Sequence, residues 1–352
     1  MKKGDAGMEL DMRKMRILAA IVDDYIMSAM PVGSRTISKH PDISLSSATI
    51  RNEMSDLEEL GYLEQPHTSA GRIPSDKAYR LYVDSLMRNA RLSEQETRFI
   101  RDHFSKALDQ VEDVVKQTAW VLSNLTQYMS VVTSPQLHAV KIKHVQLVPV
   151  SEEKALCVVV TDSGIVRDAI VRVPRGTDVG NLERLSRLLT GRLTNQRMDE
   201  ALTTLIPALC EEIADNRSFL QATLESLRRG MDADPARMTM AGATNMLNYP
   251  EYSDMEKARN FLSAIETKDK LYGILTKAAK MEFTVTIGSE NEDAQMQDCS
   301  VVTATYRIGN EPIGSMGIIG PTRMNYARVL AILRYMGNGL SEMLTNMFEE
   351  ER

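Results

Sequence analysis

Arg51 and Asn52 stand side by side in Ser47-Ala48-Thr49-Ile50-Arg51-Asn52, with Ser55 three residues on. An arginine can pair bidentately with guanine and an asparagine with adenine, while small hydroxyls reach either bases or phosphates. The run therefore carries the groups that read a base edge. At about 100° per residue, Ile50, Met54, Leu57 and Leu60 form one apolar stripe and leave Ala48, Arg51, Asn52, Ser55 and Glu59 on the opposite side. A face that is small near its start can enter a groove about 12 Å wide while long polar side chains extend to the bases. The same pattern also suits a helix face that is merely solvated, so the neighbouring elements decide between the two.

Those elements are well punctuated. Ser46 is a good N-cap, Leu45 and Ile50 fall at the positions of a hydrophobic staple, and Gly61 stops the helix. Upstream, Met12, Met15, Leu18, Val22, Tyr25 and Ala29 mark the apolar face of a helix from Asp11 to Met30, ended by Pro31. A short helical segment, Ser34 to His40, follows. Downstream, Tyr62 to Pro74 has strand formers at both ends and reads as a hairpin with a polar tip from His67 to Arg72. A helix restarts at Ser75 with Tyr79, Tyr82, Val83 and Leu86 facing inward. Three helices, a hairpin and a further helix predict a winged helix-turn-helix.

In that frame the expected DNA contacts are Arg35 and Lys39, placed for phosphates, and Ser46, Ser47, Ala48, Thr49, Arg51, Asn52 and Ser55 on the third helix. The hairpin adds His67, Thr68, Ser69 and Arg72, the last placed for a narrow minor groove. Charge gives no help: the net charge is -6, and through Arg88 twelve Lys or Arg face thirteen Asp or Glu. Attraction to phosphates must come from placement, with Asp23, Asp24 and Glu58 turned away from the duplex.

The rest of the chain alternates helices and strands. A capping box of Ser93 and Glu96 opens a helical pattern from Leu92 to about Met129, and Pro135 marks its end. His144 to Val150, Lys154 to Thr161 and Ile165 to Val173 read as an antiparallel sheet. Asn181 to Leu193 and Met198 to Leu227 read as helices with leucine faces, the second kinked at Pro207. Strands return at Phe283 to Ile287, Cys299 to Ile308 and Gly314 to Ile319, the last two joined through Gly309-Asn310. A final helix runs from about Asn325 to Met347. Strands on both sides of a helical block predict one sheet domain interrupted by a helical insertion, an α+β architecture.

Several function classes fall away. At 352 residues the chain exceeds one ordinary core, and no apolar run is long enough to span a bilayer. Neither a membrane partner nor a signal segment is expected. Cys157, Cys210 and Cys299 are too few and too widely spaced for a disulfide framework or a zinc site, and read as buried thiols in a reducing cytoplasm. His40, His67, His103, His138 and His144 show no metal-ligand spacing. Neither Gly314-Ser315-Met316-Gly317 nor Gly191-Arg192 is a phosphate loop. No catalytic residue, metal or cofactor is expected.

The run Ser46 to Met54, continuing as Asp56-Leu57-Glu58-Glu59-Leu60-Gly61-Tyr62-Leu63 and Pro66 to Pro74, closely resembles HrcA, the family of bacterial heat-inducible transcription repressors. Pro31-Val32-Gly33-Ser34 and Tyr79-Arg80-Leu81-Tyr82-Val83 fit it too, as does the Gly314 to Pro321 stretch. The resemblance implies a winged-helix domain at 1–90 and a GAF-like domain in two parts, 91–178 and 251–352. It also implies a dimerisation domain inserted at 179–250. It further implies a homodimer on double-stranded DNA, at an inverted-repeat operator called CIRCE upstream of chaperone operons, with activity tied to folding by the GroE chaperonin. The alternative is a ligand-responsive regulator that uses the GAF-like domain as an effector sensor. No cluster of convergent polar residues stands out near the strands, which favours a packed sheet without ligand.

Overall fold

In the computed structural model, residues 10–67, 70–88, 90–104, 111–135, 141–162, 166–174, 177–208, 238–278, 281–308 and 311–349 are described. Helix α1, Met12–Ser28, is started by Asp11, whose carboxylate accepts the Lys14 N–H at 2.7 Å. It ends two residues short of the expected Met30, where Ala29 turns left-handed. Helix α2 is a single turn, Ser34–Ile37, shorter than the sequence suggests. Helix α3, Ser47–Glu59, follows, and Gly61 takes the positive φ of 77° that the reversal after it requires. The hairpin strands are β1, Leu63–Glu64, and β2, Ile73–Pro74, with Leu63 opposite Pro74. Helix α4, Asp76–Leu81, runs on as a π-turn through Leu86.

The expected long helix after Leu92 is two helices, α5 at Glu94–Phe104 and α6 at Val111–Thr126. Its first turn holds the capping box, with Ser93 N–H donating to Glu96 at 2.8 Å. Beyond α6 comes a strand that the sequence reading placed at the helix end: β3, Met129–Thr133, buried at all five positions.

Strands β4 (Ile142–Ser151), β5 (Lys154–Thr161) and β6 (Val166–Arg172) form the expected antiparallel sheet. It is a separate sheet with its own core. Helix α7, Val179–Leu193, lays Leu182, Leu185, Leu189 and Leu193 against Val145, Leu147, Cys157 and Val159. The interruption of the larger sheet therefore contains strands as well as helices. A division at 178/179 would cut through this core. Helix α8, Met198–Glu200, continues as a π-turn to Leu205 and stays helical over 206–208; the remainder of the expected helix, 209 to Leu227, with Cys210, lies outside the described residues.

The chain returns at β7, Met238–Ala241, which pairs with β3. Helices α9, Met255–Glu266, and α10, Lys268–Ala278, precede β8 (Phe283–Ile287), β9 (Cys299–Ile308) and β10 (Glu311–Pro321). The turn at Gly309-Asn310 lies outside the described residues. The resulting five-stranded sheet is antiparallel in the order β7-β3-β10-β9-β8. Helix α11, Tyr326–Glu349, covers one face with α6. On the other face a Cβ at Gly317 would stand 2.7 Å from Leu275 of α10, so glycine is what lets that helix approach. No helix among the described residues is long and apolar enough to cross a membrane.

The first ninety residues dock on the larger sheet domain. Arg80 of α4 makes a bidentate pair with Glu290, at 2.8 and 2.6 Å, and Asp76 accepts the Ser289 N–H at 2.8 Å. Arg323 reaches from the sheet domain to the Ile26 carbonyl at the end of α1. Both units contribute to one continuous apolar cluster.

Candidate nucleic-acid interface

The Ser46 hydroxyl accepts the Thr49 N–H at 3.1 Å and fixes the start of α3. Thr49 turns its own hydroxyl back to Ser46 at 2.9 Å and is half-buried. Ser47 shares a hydrogen bond with buried Ser34 at 3.0 Å, which ties α2 to α3. Of the expected DNA contacts, Ser46 and Thr49 thus cap α3 and Ser47 ties it to α2 in this arrangement.

One side of α3 buries Ile50, Met54 and Leu57 with Glu53 among them. Glu53 meets Lys14 at 2.7 Å and Arg13 at 3.4 Å, and Lys14 also reaches Asp56 at 2.9 Å. A carboxylate so enclosed needs such partners. The Glu53 and Asp56 carboxylates hold the Lys14 ammonium well above the usual lysine range. The sequence does contain a signal for this pair: Glu53 sits inside the spacing 50, 53, 54, 57 of an otherwise apolar stripe.

The opposite side is open. Ala48, Arg51, Asn52 and Ser55 are exposed, and so are Arg35 on α2 and Lys39 just beyond it. Among the described residues, the side chains of Arg35, Lys39, Arg51 and Asn52 take part in no ion pair or hydrogen bond. His67 is exposed at the hairpin tip; Thr68 and Ser69 lie outside the described residues.

Arg72 differs from its expected role. Its guanidinium is half-buried on Glu58 of α3, with Nε at 2.9 Å and a terminal nitrogen at 2.8 Å from the same carboxylate oxygen. Its backbone exchanges two hydrogen bonds with Val32, at 2.8 and 2.9 Å. Arg72 is therefore the strut at the base of the hairpin, not a side chain held out to a minor groove. Gly71 makes the approach possible, since a Cβ there would lie 2.5 Å from the Val32 carbonyl oxygen.

These pairs answer part of the charge problem. Glu53, Asp56 and Glu58 on α3 each have a basic partner, and Asp23 accepts the Tyr82 hydroxyl at 2.5 Å. What remains on the open face is Arg51 and Asn52 beside the small Ala48 and Ser55, with Glu59 exposed at the far end of the helix. This face can donate to base edges and phosphates, and among the described residues no cluster of three His, Cys, Asp or Glu could hold a metal.

Comparison with known proteins gives consistent findings. Residues 112–330 match the family described as HrcA protein C-terminal domain. The heat-inducible transcription repressor HrcA of Brevibacillus brevis is 42% identical over 338 residues, covering 96% of this chain and 99% of that one. The repressor of the same description from Pelotomaculum thermopropionicum is 41% identical over 339 residues, covering 96% and 97%. A crystal structure described only as that of a hypothetical protein is 28% identical, with a TM-score of 0.59, over 96% of this chain and 100% of that one.

Proposed function

The chain belongs to the HrcA family, and from that membership we propose that it is a heat-inducible transcription repressor, and no enzyme, whose α3 reads double-stranded DNA. Helices α1 to α3, the β1–β2 hairpin and α4 act as a winged helix-turn-helix, with α3 in the major groove. Arg51 and Asn52 address base edges, and Ala48 and Ser55 leave room for them. Arg35 and Lys39 meet phosphates, exposed His67 reaches DNA from the wing, and Thr68 and Ser69, next in the sequence, are further candidates for contact. The observation that carries this reading is the open Arg51–Asn52 face on a helix where Glu53, Asp56 and Glu58 are paired with basic side chains.

The five-stranded sheet with α6, α10 and α11 serves as the GAF-like domain, and the unit from β4 through α8 as the inserted dimerisation domain. The leucines of α7 are turned onto their own sheet. The other side of that sheet is a better candidate. Val148, Leu156 and Ile170 are register partners across its three strands, and Val148 and Ile170 are 42% and 53% exposed. An apolar row of this kind on a bare sheet face suits a second copy of the chain.

A two-fold dimer sets two recognition helices about 34 Å apart, so its operator is an inverted repeat. The family resemblance makes that a CIRCE-type element ahead of chaperone operons, makes the GroE chaperonin the partner that yields active repressor, and puts the protein in the cytoplasm. Footprinting on such a promoter tests the reading. Protection of both half-sites, lost when one half is scrambled, is expected; equal protection of unrelated DNA contradicts it.

A further inference from the structure

Between α10 and the edge of the five-stranded sheet lies a cavity of about 870 Å³, a size typical of small-molecule sites. Its floor carries three threonines. Thr284 and Thr286 are two apart on edge strand β8 and so share a face, and Thr303 is the register partner of Thr284 on β9. Their short side chains leave space that leucine or isoleucine would fill, while Ile274 and Met281 supply apolar walls. No sequence pattern brings these threonines together, because the strand pairing that does so is long-range.

The Thr284 Oγ1 is buried and has no hydrogen-bond partner. Buried polar groups are almost always paired. A group placed in the cavity that Thr284 lines, offering an acceptor or donor, would satisfy this hydroxyl. The charges at the mouth, in contrast, are already matched. Lys270 meets Asp293 at 2.7 Å, Lys277 meets Glu292 at 2.6 Å, and Glu290 meets Arg80 at 2.6 Å. A charged ligand would have to break one of these pairs; an uncharged one would not.

We propose that this cavity is an effector site for an uncharged, mostly apolar small molecule whose hydroxyl, carbonyl or amide group pairs with Thr284. Occupancy reaches the DNA-reading unit through Glu290, which lines the cavity and also grips Arg80 of α4. A molecule resting against the 290–294 loop alters the strength of that grip. Only this last consequence rests on the repressor reading.

Titration of the full chain with para-fluorophenol, uncharged at neutral pH, tests the site by fluorine NMR. Gly273 lines the cavity, and a Cβ added there meets nothing within 4 Å. Leucine is also the better helix former, so Gly273→Leu folds while filling the space. Saturable line broadening is expected with the natural protein, weaker with Thr284→Val, and absent with Gly273→Leu at an undiminished melting temperature. No saturable broadening with the natural protein, or equal broadening with Gly273→Leu, overturns the site. Saturating probe is expected to shift operator affinity of the natural protein about fivefold or more and leave that of Gly273→Leu unchanged. An unchanged affinity in both overturns the link through Glu290. A natural protein that binds no operator with or without probe overturns the repressor reading instead, since the NMR readout does not depend on DNA.

Discussion

Arg72 and Arg51 both belong to the first ninety residues, yet the fold places them in opposite settings. Arg51 is exposed and makes no ion pair or side-chain hydrogen bond among the described residues, and its position follows from helical periodicity alone, which is why it is legible in the sequence. Arg72 finds its partner fourteen residues away on another element, which no local spacing reveals. Its loss in Arg72→Ala should cost about 1 kcal/mol or less, because the pair is part-exposed. Thermal unfolding reads this cost, and base selectivity should stay as it is. Gly71→Ala should do more harm: the added Cβ presses on the Val32 backbone, and overpacking of this kind costs about 1–3 kcal/mol, visible as a lower urea midpoint. Arg35→Ala should weaken binding to all sequences alike and reduce the salt slope by about one. An unchanged slope would remove Arg35 from the phosphate contacts.

At the scale of elements, helices with strong caps and stripes are legible where pairing partners are not. α3 matches its expected span to within a residue because Ser46 and Gly61 fix both ends. β3 and β7 escape notice because each is short and follows or precedes other patterns, and only their mutual pairing makes them strands. For the same reason the strands of β4 to β6 are visible, whereas their separation from the larger sheet is not. The docking of α4 on the sheet domain depends on Glu290. Burial pushes the Glu290 carboxyl up, but the Arg80 guanidinium and the Ile287 N–H outweigh it and hold it below its ordinary value of 4.5. A carboxylate lowered in this way contributes stability above its unfolded value and loses it as pH falls through the folded one. Glu290→Gln should therefore destabilise the chain at neutral pH, and the gap should close as pH drops below about 4.5. Unfolding midpoints of both proteins across pH 3 to 7 check this; a gap that persists in acid denies the pair its role.

For the whole molecule, an inverted-repeat operator requires two copies of α3 in fixed relation, and the bare face of the β4–β6 sheet is the surface proposed to supply it. Ile170→Asp places a charge at the exposed end of that apolar row. Sedimentation should show a dimer for the natural chain and a monomer for Ile170→Asp, and operator affinity should fall although α3 is untouched. A dimer that survives Ile170→Asp would move the interface elsewhere. The central claim is that the open side of α3 reads bases. Its most direct test is to titrate operator duplexes, each with one substituted base pair in a half-site, against the natural protein and Arg51→Ala. The natural protein should lose about 1–3 kcal/mol at each contacted pair, and Arg51→Ala should lose discrimination at one of those positions while keeping it at the others. Full discrimination by Arg51→Ala at every position, or none by the natural protein, would contradict the account.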